Sequence, residues 1–193
     1  MKIAILGAPS TGKSALARAL SAELIREGSS CDLIPDYASQ YIQQAGLPAS
    51  PADQLVIGIG QYFAEQRDAA DYVVTDAAAF ATYIYAQRSI PKETDGDSWP
   101  KDRALLDVLQ TIARLSVSSY DLILLLTHVF PPRDDGTKAP QHLSVEECQE
   151  ISRDIEQYLT SERAPFHKLR GNDPEVVAKA RRVIGQHSLI QIT

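Results

Sequence analysis

Apolar and polar positions alternate in blocks along this chain, and the blocks switch period in a regular order. Met1 to Leu6 is a short apolar run ended by Gly7, which predicts a buried strand. From Gly12 the period changes, and Leu16, Ala19, Leu20 and Leu24 fall on one helical stripe that stops near Gly28. Cys31 to Ile34 predicts a second strand, checked by Pro35. Ser50 before Pro51 reads as an N-cap with proline at the first helical position, opening a helix to about Ala70. On it Leu55, Val56, Ile59, Tyr62 and Phe63 share one apolar face. Tyr72 to Thr75 predicts a third strand, and the alanine-rich stretch after Asp76 returns to helix.

Ile90 to Pro100 is a polar loop punctuated by Gly and Pro, followed by a helix from about Asp102 to Leu115. Leu122 to Leu126 is apolar on both faces, as a central parallel strand must be. A second polar loop spans Pro131 to His142. Ser144 and Glu147 then form a capping box for a helix to about Glu162. Phe166 to Leu169 predicts a fifth strand, Asp173 and Pro174 cap the last long helix, and Leu189 to Ile192 leaves a sixth strand open. Strands separated by helices imply an α/β fold. The expected architecture is a three-layer α/β/α sandwich around a parallel sheet of five strands, or six. At 193 residues the chain fits one domain over 1–193, against a prior of about 150 residues per domain.

Composition narrows the function. Nineteen basic against twenty-five acidic residues give a net charge of −6, the wrong sign for a protein that wraps nucleic acid. The longest apolar run near the middle, Leu122 to Leu126, is too short to span a bilayer. Cys31 and Cys148 are too few for a disulfide framework and have no metal-ligand spacing; with no signal-peptide pattern they read as reduced thiols of a cytoplasmic protein. His128, His142, His167 and His187 share no spacing that would make a metal site.

One motif carries most of the chemistry. Gly7 to Ser14 reads G-x-x-x-x-G-K-S, directly after a predicted strand and directly before a predicted helix. Such a loop turns successive backbone N–H groups onto phosphate oxygens, and the helix N-terminus adds its partial positive charge. Lys13 is the point charge for the β- and γ-phosphates of ATP, and the Ser14 hydroxyl is a candidate Mg²⁺ ligand. Gly7, Ala8, Pro9, Ser10, Thr11, Gly12, Lys13 and Ser14, with Leu16 in the first turn, are therefore the candidate nucleotide-binding residues. The guanine-reading N/T-K-x-D pattern is missing, since the fourth strand runs into Thr127-His128-Val129-Phe130. Asp76 is followed by Ala77, Ala78 and Ala79, so no second acid stands beside it to orient water. Small-molecule phosphoryl transfer, with a substrate hydroxyl as nucleophile, is what remains.

Asp36 and Asp76 fit that reaction. They follow the second and third strands, and ligands of parallel α/β sheets bind outside the carboxyl ends of strands. One carboxylate would orient or deprotonate the attacking hydroxyl and one would help hold Mg²⁺, for which Asp76 is the candidate beside Ser14; the pattern does not assign the base. Taken alone, Asp36 also suits a turn and Asp76 a helix N-cap. The loop at about 130–142 sits where small kinases carry a lid, with Arg133 and Lys138 as the cations that would meet the transferring phosphoryl group; a solvated surface loop is the competing reading.

In order along the chain, these residues resemble the NadR-like nicotinamide-riboside kinases, a branch of the P-loop, AAA-type kinases. The matching pieces are Gly7–Ser14, Asp36 and Tyr37 with Tyr41, Gly58 with Gln61 and Tyr62, Asp76 ahead of Thr82, and the Tyr120–Leu126 strand followed by Asp135–Lys138. The resemblance implies that Asp36, Tyr37, Tyr41, Gln61 and Tyr62 line the acceptor pocket, where aromatic rings stack on a flat heterocycle and a carboxylate accepts ribose hydroxyls. Tyr62 also suits a core position, and Trp99 a pocket lid or a loop anchor. The chain departs from the family at Ala78, where a second acid is common, and at Lys138, where arginine is usual. Two functions stay open: a kinase of nicotinamide riboside or another nucleoside-like acceptor, and a nucleotide-dependent regulatory ATPase that acts through a protein partner.

Overall fold

The computed structural model describes residues 1–45, 50–67, 69–90, 99–131 and 143–190, without the side chains of 99, 100, 189 and 190. In chain order the elements are β1 (Lys2–Leu6), α1 (Lys13–Arg26), β2 (Cys31–Ile34), α2 (Tyr37–Ala45), α3 (Pro51–Ala64) and β3 (Tyr72–Asp76). There follow α4 (Ala81–Ser89), α5 (Trp99–Ser118), β4 (Leu122–Leu126), α6 (Val145–Ser161), β5 (Phe166–Leu169) and α7 (Val176–Ile190). The five strands form one parallel sheet in the order β2-β3-β1-β4-β5.

Alternation along β1 splits the core in two. Ala4 and Leu6 join residues of α4, α5 and α6 on one face, while Ile3 and Ile5 join α1 and α7 on the other. All five residues of β4 are buried, as a strand covered on both faces requires. The three-layer α/β/α sandwich is thus the observed architecture. Both capping boxes are present: the Ser50 and Ser144 side chains accept from the N–H groups of Asp53 and Glu147, whose carboxylates bond back to the cap N–H groups.

Several expectations are corrected. Leu189 and Ile190 belong to α7, so no sixth strand starts there; a short apolar run does not distinguish strand from buried helix by period. α3 ends at Ala64 rather than near Ala70, and α2 forms where no helix was expected. On α1 the inward side adds Ala17 to Leu16, Leu20 and Leu24, while Ala19 is exposed.

The last correction concerns the faces of α3. Its apolar face points outward, with Val56, Ile59 and Phe63 exposed, Phe63 to 69%. The inward side is Gln54, Ile57, Gly58 and Gln61, continued by Glu65 just past the helix. Among the described residues no helix is long and apolar enough to cross a membrane.

Candidate active site

The site lies at the carboxyl ends of the three strands on one side of the sheet. Ile5 of β1 is level with Asp76 of β3, and Thr75 is level with Ile34 of β2. Gly7, Asp76 and Asp36 therefore leave the sheet at nearly one height, from adjacent strands. Beyond β1 the chain turns through Gly7, whose φ of +148° lies in a region L side chains rarely adopt; a Cβ there would stand 2.8 Å from the Leu126 carbonyl oxygen. Gly12 caps α1 with no side-chain hydrogen bond, so the first N–H groups of that helix face the loop.

The loop is held from within and from outside. The Ala8 carbonyl accepts from Thr11 Oγ1 at 2.8 Å and from Lys13 Nζ at 2.9 Å. Ser10, at φ 59°, accepts at its carbonyl from the Phe130 N–H at 2.7 Å, and Phe130 packs edge-on against His128. The Leu16 side chain packs in the core between α1 and the sheet, and its N–H donates to the Gly12 carbonyl.

Asp76 is 8% exposed and is followed by Ala77 in a left-handed conformation, φ 96°. For a residue with a Cβ that conformation is strained, and strain of this kind gathers at functional sites. Helix α4 starts only at Ala81, so Asp76 is not its N-cap. Ala78, Ala79 and Phe80 turn into the core, where Phe80 stacks on Tyr158. Asp36, by contrast, serves the start of α2: its carboxylate accepts from the Ala38 N–H at 3.0 Å and from Ser39 Oγ at 2.6 Å. Burial pushes the Tyr85 phenol up, and the charges of Asp36 and Cys148 push it further; the Cys148 thiol in turn, raised by its burial, feels Lys13. Lys13, Cys148, Tyr85 and Asp36 thus share one neighbourhood.

The other expected pocket residues lie on α2 and α3. Tyr37 lays its ring over Gly60 of α3, where a Cβ would stand 2.4 Å from the ring. Tyr41 donates to Asp53 Oδ1 at 2.8 Å. Tyr62 is half-buried, edge-on to Phe63. Gln61 is 2% exposed and inside the protein: its Oε1 accepts from the Tyr37 N–H at 2.9 Å, and its Nε2 donates to Glu65 Oε1 at 2.9 Å and to Thr75 Oγ1 at 3.0 Å. Arg133 and Lys138, with the rest of the expected lid at 132–142, lie outside the described residues, as does the Trp99 side chain.

Glu65 is the residue that sequence reasoning missed. It is fully buried, and Tyr120 donates to its Oε2 at 2.6 Å. Burial raises its pKa, against the opposing pull of Tyr120, Gln61, Lys2 and Thr75. Burial and the Glu65 charge likewise raise the Tyr120 phenol well above its ordinary value. A lone Glu at a helix end carries no motif. The only available signal was its i+4 spacing from Gln61.

Among the described residues no cluster of three or more His, Cys, Asp or Glu forms a metal cage. Ser14 and Asp76 offer hard oxygen donors. Those fit Mg²⁺, which keeps several waters and takes one or two protein oxygens beside substrate phosphates.

The sequence model of the AAA domain family matches residues 2–175. Comparison with curated proteins gives no match. Among solved structures, the chain is similar to a NadR protein crystallised in complex with NR, with 20% identity and a TM-score of 0.71 over 96% of this chain and 50% of that one. The chain thus spans half the length of that protein. It is also similar to a deoxyadenosine kinase from M. mycoides, carrying the products dCMP and dCDP, at 14% identity and a TM-score of 0.63 over the whole of both chains. Fold and P-loop context therefore agree with the resemblance drawn from the residues.

Proposed function

The chain belongs to the AAA domain family, and from that premise we propose that it is an ATP- and Mg²⁺-dependent small-molecule kinase. It moves the γ-phosphoryl group of ATP to a hydroxyl of a nucleoside-like acceptor, with nicotinamide riboside the first candidate. The observation that carries this reading is the level placement of the P-loop, Asp76 and Asp36 at the ends of β1, β3 and β2. Lys13 and the loop N–H groups act on the phosphates, and Ser14 and Asp76 would hold Mg²⁺, which neutralises charge on the transferring group when bound. Asp36, one strand further out, faces the acceptor. The NadR protein bound to NR and the deoxyadenosine kinase of like fold support a nucleoside-like acceptor.

The test is a screen of ribonucleosides and vitamins for acceptor-dependent ADP release. Without acceptor, hydrolysis is expected to be slow, because no second acid adjoins Asp76. The right acceptor raises ADP release by orders of magnitude, since its hydroxyl is held in line as an effectively intramolecular nucleophile. A second reading, a regulatory ATPase acting through a protein partner, is favoured by the outward apolar stripe Val56, Ile59 and Phe63 of α3. Fast basal hydrolysis that small acceptors leave unchanged, and that a protein partner alters, would decide for it.

A further inference from the structure

Helix α3 turns Gln54 and Gln61 inward beside Ile57 and Gly58, with Glu65 just past its end, and leaves Val56, Ile59 and Phe63 outward. Burying an amide and a carboxylate is unfavourable unless both are hydrogen-bonded. Here they are, and their partners flank the two acids of the site. The Gln61 carbonyl oxygen holds the N–H of Tyr37, the residue after Asp36. The Gln61 amide nitrogen holds the hydroxyl of Thr75, the residue before Asp76. The Thr75 hydroxyl donates in turn to the carbonyl of Ala77 at 2.9 Å, the left-handed residue after Asp76.

Glu65 fixes which way the Gln61 amide points. Glu65 Oε1 accepts from Nε2 of Gln61, which leaves the amide oxygen of Gln61 for the Tyr37 N–H. Glu65 is itself anchored by Tyr120, whose hydroxyl also meets Ser116 Oγ at 2.8 Å. The result is a buried tie across the ends of β2 and β3, with one carboxylate-bearing turn at each end.

We propose that Gln61, oriented by Glu65, is the positioning residue of this site. It holds the Asp36 turn and the Asp76 turn at one spacing, so that acceptor hydroxyl and transferring phosphoryl group meet in line. The proposal rests on the kinase reading above. It differs from a ligand-contact role, because both N–H groups of the Gln61 amide are engaged inside the protein.

The experiment uses the full chain with Gln61→Ala, Gln61→Glu, Glu65→Gln and the pair Gln61→Glu with Glu65→Gln. Amide hydrogen exchange is read at Tyr37, and Mg-ATP affinity, kcat and acceptor KM are measured beside it. Gln61→Ala is expected to speed exchange at Tyr37, to leave ATP affinity within about twofold, and to lower kcat by about a hundredfold, the scale for a displacement of an ångström at a reacting centre. Gln61→Glu sets two carboxylates against each other and matches that loss. The paired swap restores a donor opposite an acceptor, now in reversed order, and is expected to recover at least tenfold of the lost kcat. Glu65→Gln alone stays within a few-fold of wild type, because its amide group still suits Tyr120 and Gln61.

Unchanged exchange at Tyr37 in Gln61→Ala overturns the tie. Faster exchange with unchanged kcat and KM overturns its role in the reaction, and so does a paired swap that recovers nothing. Should Gln61→Ala fail to fold, the isosteric variants carry the same comparison. Absence of any acceptor-dependent turnover in the wild-type chain overturns the kinase reading and the catalytic half of the proposal, while exchange at Tyr37 still decides the tie.

Discussion

Gly171 lies directly over the main chain of Thr11: a Cβ at position 171 would stand 2.2 Å from the Thr11 carbonyl oxygen and 3.4 Å from the Phe130 ring. The turn between β5 and α7 is therefore a lid of backbone on the P-loop, and only a residue without a side chain fits. Thr11 cannot yield by a rotamer change, because the contact is with main chain. Gly171→Ala is expected to displace the loop and weaken ATP binding by about tenfold, in line with the penalty for overpacking a tight contact. Titration with a fluorescent ATP analogue, beside far-UV circular dichroism showing the sheet intact, checks this.

Lys13→Ala is expected to lower kcat by about a hundred- to a thousandfold, the scale for one preorganised charge-stabilising group. Lys13 rests on the Ala8 carbonyl of its own loop and lies outside both core clusters, so the variant keeps the wild-type melting temperature. Near-normal turnover in a folded Lys13→Ala chain would remove the basis of the P-loop reading.

The two acids are expected to fail differently. Asp76 ends the strand beside β1, so Asp76→Asn lowers Mg²⁺-dependent kcat, with the steeper loss at low Mg²⁺. Asp36→Asn raises the acceptor KM instead and leaves stability nearly unchanged, because asparagine caps a helix as well as aspartate does. The reverse pattern in steady-state kinetics would exchange their roles.

Glu65 makes stability depend on pH in a calculable direction. In the unfolded chain it ionises near 4.5, while burial in the folded protein retains its proton to higher pH. The folded state thus binds more proton across that window and loses stability relative to the unfolded chain as pH rises through it. Glu65→Gln has no such proton. The variant is expected to gain on wild type as pH rises from about 4.5 upward. Parallel melting curves of the two proteins, taken from acid to neutral pH, measure that divergence.

Much of the scaffold was legible because it rests on local chemistry. The strand–loop–helix setting of Gly7–Ser14 and the capping boxes at Ser50 and Ser144 each depend on residues within a few positions of one another. The positions of Asp36 and Asp76 followed from strand ends and needed only the rule for parallel sheets. What was hidden depends on partners distant in the chain. Helix α2 is nine residues long and its stripe of Tyr37, Ala38, Tyr41, Ile42 and Ala45 is thin, while its start at Asp36 reads equally well as chemistry. The shared face of Val56, Ile59 and Phe63 on α3 turns outward, because period reports that residues share a side, not which way that side turns. Gln61 and Glu65 face inward because Tyr37, Thr75 and Tyr120 wait there, and no local pattern announces that.

The P-loop is encoded near the start of the chain but is completed from its far part: Leu126 stands against Gly7, Phe130 bonds Ser10, and Gly171 covers Thr11. Contacts of such span close only after the intervening chain has paid its loop-closure entropy, and they slow folding. A growing chain on the ribosome therefore carries the phosphate motif well before it owns a phosphate site. Any phosphate ligand of this loop is a ligand of the finished sheet, and by mass action it stabilises all five strands together.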